Sequence, residues 1–398
     1  MDDRTDPPAH QAPEAGATGL TADRITTTTR DPEDLGRRLQ TWLGGQLGAE
    51  ATPEVVEVIK PQGNGMSSET LLFTARWTED DDRVEQRLVA RIEPELDKVP
   101  VFPAYDLRLQ FDVIDLVGRT TDVAVPRVRW FEPDGSIVGA PFFVMDRVDG
   151  EVPRDVLPYC FPDPNWVLDA TDDERRRLQD SAVRSLAGIH RLDPDHHDLS
   201  ALAYDTPGAT SLERHLAWWE RYHRWVVADG EPSPLLAECM TWLRDHLPVE
   251  GTDTGPARLS WGDARIGNML FADFEVAAVL DWEMAGIAPP EVDLGWMIYL
   301  HRFFQDLTES LGAEGLPAML RPADVVATYR EASGRDVGDL RWPIAYSAMR
   351  HGIIMRRVTE RSILFGDAQR PDDVDDMILH RATLRSMLDG TYWAPIGL

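Results

Sequence analysis

Apolar residues change their repeat once along this 398-residue chain. Between about Val55 and Met145 they come in short runs bounded by turn residues, the signature of strands. Beyond Gly150 they recur at three- and four-residue steps over long stretches, the signature of amphipathic helices. A chain segregated in this way builds a sheet first and a helical body second. It does not alternate strand and helix, so it predicts an α+β architecture rather than a doubly wound parallel sheet. At roughly 150 residues per domain, the length allows two or three units.

The strand-rich part reads as Val55–Ile59, Thr70–Trp77, Arg87–Ile92, Val128–Phe131 and Phe142–Met145, with one helix from about Asp106 to Val117. A helix beginning at Pro32 precedes it, with Leu35, Leu39, Trp42, Leu43 and Leu47 at helical spacing. Helical periods are predicted at about 172–190, 211–228, 234–247, 291–305, 322–333, 340–365 and 372–388, interrupted by a strand-like interlude at 259–282. Residues 1–30, rich in Pro, Ala, Thr and Asp, lack the apolar surface to offset ordering and are expected to form a flexible tail. The predicted division is a β-rich lobe over 31–148 and a helical lobe over 149–398.

Composition removes several functions. Against 40 Lys and Arg stand 69 Asp and Glu, a formal charge of −29. That balance argues against nucleic acid and against anionic membrane surfaces, both of which recruit basic residues. It suits a cationic acceptor molecule, or solubility alone. The opening Met-Asp-Asp-Arg is followed by no apolar stretch, so no signal peptide is expected, and no run has the roughly 20 apolar residues of a membrane span. Cys160 and Cys239 are too few for a disulfide framework and fit reduced thiols in a cytoplasmic protein. There is no G-x-x-x-x-G-K-[ST], G-x-S-x-G or H-E-x-x-H motif.

The informative stretch is Ser260-Trp261-Gly262-Asp263-Ala264-Arg265-Ile266-Gly267-Asn268, followed by a strand, a turn at Ala272-Asp273, and a second strand leading to Asp281-Trp282-Glu283. An Asp and an Asn sit five apart on a loop between apolar runs, and a hairpin returns a second Asp to the same end. Phosphoryl transfer calls for such a set. One carboxylate accepts the proton of an attacking hydroxyl, while a carboxamide oxygen and another carboxylate hold Mg²⁺, a hard cation that takes oxygen ligands. Upstream, Gly63-Asn64-Gly65-Met66-Ser67-Ser68 joins the first two strands and offers N–H groups and hydroxyls suited to phosphate.

With those residues in view, the chain from about Val55 onward resembles the aminoglycoside phosphotransferase and choline-kinase-like family, which shares the protein-kinase fold. The resemblance is carried by Gly262-Asp263 to Asn268, by Asp281-Trp282-Glu283, and by Glu291-Val292-Asp293-Leu294-Gly295-Trp296. The Trp-Gly-Asp-Ala-Arg form is similar to an actinobacterial branch of it. The resemblance implies a two-lobe kinase-like fold and transfer of the γ-phosphoryl group of ATP to a small-molecule hydroxyl. It implies Asp263 as catalytic base, Asn268 and Asp281 as Mg²⁺ ligands, and Asp293 as an acid bracing the catalytic loop. Gly65, Met66, Ser67 and Ser68 would cover the phosphates. Arg91 would steady them where the family carries a lysine, and the backbone of Met145 and Arg147 would pair with adenine. Gln110 stands where a glutamate is usual, and Trp261 where a histidine is usual. These departures motivate an alternative, a nucleotide-binding module without catalysis. Among the remaining features, Trp218, Trp219, Tyr222 and Trp225 read as core or as an acceptor wall. Arg350, His351, Arg356 and Arg357 read as a solvated or salt-bridged helix face.

Overall fold

The computed structural model describes residues 30–48, 50–61, 69–94, 100–228 and 230–398. Five strands form one antiparallel sheet: β1 (Glu54–Ile59), β2 (Glu69–Glu79), β3 (Asp82–Ile92), β4 (Val128–Glu132) and β5 (Phe142–Asp146), in the spatial order β1-β2-β3-β5-β4. β2 and β3 pair in unbroken register from Glu69↔Ile92 to Glu79↔Asp82. The turn between them places Asp80 and Asp81 at positive φ, 49° and 68°, a backbone that Asp tolerates better than most residues.

Side chains alternate across this sheet with period two. Leu88, Ala90, Ile92, Phe142 and Val144 face the leading helix α1 (Pro32–Leu47), which buries Leu35, Leu39, Trp42 and Leu43 against them. Each fully buried leucine contributes about 2 kcal/mol. Asp31 caps α1 by accepting from the Asp34 N–H, and Pro32 opens its first turn. Val89, Phe143 and Met145 point the other way, toward α2 (Leu107–Thr120) and the core of the second lobe. Arg91 shares the parity of Val89 and so lies on the cleft side of the sheet.

The second lobe is helical: α3 (Trp166–Asp169), α4 (Asp172–Ile189), α5 (Ser211–Val226), α6 (Pro234–Asp245), α7 (Glu291–Ser310), α8 (Pro322–Ser333), α9 (Arg341–Leu364) and α10 (Arg381–Leu388). Capping boxes start α4 (Thr171 with Glu174) and α5 (Thr210 with Glu213). α7 is buried on nearly every side and crosses α9 closely at Gly295, where a Cβ would lie 2.7 Å from Pro343 Cβ. Two short hairpin-like pairs interrupt the helices: β6 (Arg258–Ser260) with β9 (Gly286–Ala288), and β7 (Met269–Ala272) with β8 (Glu275–Val279).

One predicted helix is divided. Instead of a continuous helix over 372–388 there is a 3₁₀ turn at Val374–Met377, a break, and then α10. The side chains of the break are anchored elsewhere: Asp375 accepts from Ser233 Oγ and the Leu235 N–H at the start of α6, and His380 Nε2 bonds the Ala348 carbonyl of α9. The expected solvated or salt-bridged face of α9 is also corrected. Of its four residues, Arg350 and Arg356 are 1% and 0% exposed and His351 and Arg357 are half-buried; Arg361, one turn on, is 2% exposed. They are covered because α9 runs through the middle of the lobe, with α5, α6 and α7 against it. Among the described residues no helix is long and apolar enough to cross a membrane.

Candidate active site

The loop after β6 takes its shape from one carboxylate. Asp293, in the first turn of α7 and wholly buried, accepts from Ser260 Oγ (2.8 Å), the Trp261 N–H (2.7 Å), the Gly262 N–H (3.0 Å) and His190 Nε2 (3.1 Å). Burial alone would raise its pKa, but the His190, Ser260 and Gly262 hydrogen bonds outweigh that and hold it below the ordinary carboxylate range. Gly262 turns at φ +87°, where an added Cβ would meet the Met284 carbonyl oxygen at 1.9 Å. Arg350 of α9 donates to the Gly262 carbonyl at 2.7 Å, its guanidinium 4.1 Å from the ring centre of Trp296 and 5.2 Å from those of Trp219 and Tyr346.

Beyond Gly262, both oxygens of Asp263 are engaged. Oδ1 accepts from Trp296 Nε1 at 2.7 Å and Oδ2 from Asn268 Nδ2 at 2.7 Å, while Arg265 Nε lies 3.1 Å from each. Arg265 also pairs through Nη1 with Asp155. Burial works to discharge this guanidinium, but Asp155 and Asp263 raise its pKa above the ordinary arginine value. The carboxylate is thus fixed in direction by three side chains while staying 13% exposed.

The β7–β8 hairpin brings the remaining oxygen donors together. Its register, Met269↔Val279, continues outward in a bond from the Leu280 N–H to the Asn268 carbonyl (2.9 Å), which sets Asn268 beside the residue preceding Asp281. Asp281 itself sits at φ 56°. Trp261 Nε1 donates to the Leu280 and Asp281 carbonyls at 2.9 and 3.2 Å, so the indole supports this backbone. Across the cleft, Arg91 Nη2 donates to Asp281 Oδ1 at 3.1 Å, and Arg91 Nη1 to Thr70 Oγ1 at 3.0 Å. A cationic group therefore already lies against Asp281, and the oxygens of Asn268 and Asp281 are of the hard type that Mg²⁺ takes. Among the described residues there is no group of three His, Cys, Asp or Glu side chains placed for a metal.

The sequence-predicted residues divide by location. Asp263, Asn268, Asp281 and Arg91 converge on the cleft. Met145 lies in β5 facing the second lobe, and the Arg147 N–H is bonded to the Arg87 carbonyl at 2.9 Å. Gly65, Met66, Ser67 and Ser68 lie outside the described residues. Gln110 is buried on α2. Arg265 and Trp296, which hold Asp263, and Asp155, which holds Arg265, are neighbours to which the sequence assigned no role. The basic residue two places after Asp263 was a signal for the first, whereas nothing local marks Asp155.

A five-stranded antiparallel sheet over a helical body, with the Asp263 loop and the β7–β8 hairpin facing the sheet through Arg91 and Asp281, is a kinase-like arrangement. Residues 58–332 match the model of the phosphotransferase enzyme family, well over half of the chain, and the protein belongs to that family. It is similar to a candidate aminoglycoside phosphotransferase from Ralstonia eutropha JMP134, at 22% identity and TM-score 0.61, covering 89% of this chain and 97% of that one. It is also similar in fold to a thermostable D198A mutant of aminoglycoside phosphotransferase APH(4)-Ia, in ternary complex with ADP and hygromycin B, at 14% identity and TM-score 0.51, over 88% and 98% of the two chains. Among curated proteins it matches IBR3 of Arabidopsis thaliana, named for an acyl-CoA dehydrogenase, at 26% identity over 273 residues. That match takes 66% of this chain but 32% of the relative, so the chain spans about a third of that protein's length.

Proposed function

We propose that the protein transfers the γ-phosphoryl group of ATP to a hydroxyl of a small molecule in the cytosol. The observation that carries this reading is the Asp263 carboxylate, held by Trp296, Asn268 and Arg265 next to the hairpin end that carries Asp281. In the proposed step the acceptor oxygen bonds to the γ-phosphorus, the bond from that phosphorus to the β-bridging oxygen breaks, ADP leaves, and the hydroxyl proton passes to Asp263. A fixed carboxylate orients the hydroxyl for in-line attack, which supplies much of the rate in reactions of this kind. Asn268 and Asp281 would hold Mg²⁺, which when bound neutralises phosphate charge. Arg91, on β3, would steady the nucleotide phosphates once it leaves Asp281, though its fork is not equivalent to a lysine point charge. Adenine would lie beside β5 and use backbone groups around Met145 other than the Arg147 N–H. The loop at Gly65–Ser68 would complete the phosphate cover. The unpaired, buried Cys160 and Cys239 accord with a reducing compartment.

A second reading, nucleotide binding without transfer, is favoured by one observation: Arg91 docked on Asp281. Acceptor-dependent ADP release decides between them, assayed over aminoglycosides, amino alcohols, sugars and hydroxylated acyl thioesters. Asp263→Ala is expected to lower turnover by about 10²-fold or more while Mg-ATP still raises the melting temperature. ATP binding with no turnover on any acceptor class, or turnover that survives Asp263→Ala, would sink the transfer reading.

A further inference from the structure

Arg341 opens α9 paired with Asp339, but the arginines further along the helix lack such a partner: among the described residues, Arg350, Arg356, Arg357 and Arg361 have no carboxylate within ion-pair distance. Arg350 is spent on the Gly262 carbonyl and three aromatic rings, and Arg356 donates to the Glu231 carbonyl. Arg361, 2% exposed, has like Arg356 an Nε and Nη1 without a hydrogen-bond partner, but among the described residues it has no backbone carbonyl to donate to and it lies on the stripe of Arg350. One turn before it on the same helix face, the half-buried Arg357 donates Nε to the Pro100 carbonyl at 2.8 Å and lays its guanidinium 4.3 Å from the ring centre of Trp225.

Arg350, Arg357 and Arg361 follow one another by seven and four residues, so they share a stripe of α9. At 1.5 Å per residue, Arg357 lies roughly 10 Å and Arg361 roughly 16 Å along the axis from Arg350, which touches the residue before Asp263. The facing wall is aromatic. Tyr222 donates to the Val101 carbonyl at 2.8 Å and lies 5.5 Å from Phe102, and Tyr105 accepts from the Phe102 N–H. Burial foremost, and the Glu283 charge after it, raise the pKa of both tyrosine hydroxyls, while Arg361 pulls that of Tyr105 down.

Holding guanidinium groups out of water without a carboxylate is costly unless an anion is recruited. A planar fork backed by aromatic faces suits a carboxylate or phosphate and repels an ammonium group. We propose that Arg357 and Arg361 bind the carboxylate or phosphate end of the acceptor, so that the hydroxyl-bearing substrate is an anion and not the polycation that the chain-wide charge suits. This rests on the phosphotransfer reading, and the spacing asks for an acceptor whose charge sits on the order of 10 Å from its reacting hydroxyl.

Calorimetric titration of the Mg-AMP-PNP-loaded full chain with ω-hydroxydecanoate, ω-hydroxydecyl phosphate and ω-aminodecanol tests it. At least one anion is expected to bind about tenfold or more tightly than the amine, with Arg361→Gln and the milder Arg357→Gln each removing that preference and leaving AMP-PNP affinity unchanged. The better of the two anions tells a carboxylic acid from a phosphate ester. Equal or tighter binding of the amine, binding by neither anion, or a preference that survives in both variants overturns the proposal. ADP release with the same compounds separates the two claims. An anion preference without Asp263-dependent ADP release sinks the transfer reading and keeps the subsite, whereas release with the amine alone does the reverse.

Discussion

Asp293, in the first turn of α7, and Asp263, on the loop that Asp293 braces, come to opposite duties. Asp293 is buried and spends its oxygens on the loop's own donors, whereas Asp263 is gripped from behind and keeps an edge toward the cleft. Removing the first therefore costs more in stability than in direct chemistry. Asp293→Ala leaves Ser260 Oγ, the Trp261 and Gly262 N–H groups and His190 without their acceptor, and is expected to lower unfolding free energy by about 3–5 kcal/mol, measured by urea denaturation. Asp293→Asn restores volume but turns an amide N–H₂ toward donors, so it should recover little. A loss below about 1 kcal/mol in both variants would show that the loop holds its shape without this acid.

At the scale of elements, the Asp263 loop depends on a turn with no room for a side chain. Gly262→Ala combines positive φ with an approach to the Met284 carbonyl that backbone must yield to accommodate. The expected outcome is a loss of about 3 kcal/mol or more, or insoluble protein, while Gly251→Ala, at φ 77° but with open space around it, costs about 1 kcal/mol. Comparing melting temperatures of the two separates crowding from backbone strain. Elements like this were legible in the sequence to the extent that their cause is local. Alternation of apolar residues located all five strands of the sheet, and the five-residue spacing of Asp263 and Asn268 with a hairpin behind them located the loop. What stayed hidden has causes far along the chain. The split before α10 comes from anchors on α6 and α9, Asp155 reaches Arg265 from 110 residues away, and the arginines of α9 are buried because three helices close around them. Charged residues at helical spacing look the same on a solvated face and on a core helix until the neighbours are known.

For the whole molecule, buried neutral histidines set the response to acid. Burial pulls His215 down to about 3, helped by Arg350, and pulls His301 and His380 down to about 4. Each binds a proton near pH 6.5 when unfolded but not until far lower pH when folded. Their contribution is therefore complete above about pH 6.5 and is lost as pH falls toward 4, at about 2 kcal/mol for each by pH 5. Asp293, held below the usual carboxylate range, adds stability that persists above about pH 4 and is lost below it. Thermal melts should drop steeply between pH 7 and pH 5, and His380→Gln should flatten that slope; a melting temperature constant across this window would contradict the burial of these rings. The placement of Asp293 has a temporal counterpart. Because the acid that organises residues 260–262 arrives only with the first turn of α7, a growing chain stopped short of residue 290 would carry every atom of the Asp263 loop without the carboxylate that accepts from Ser260, Trp261 and Gly262. Order in that stretch is installed late in synthesis, after every strand of the five-stranded sheet has been made.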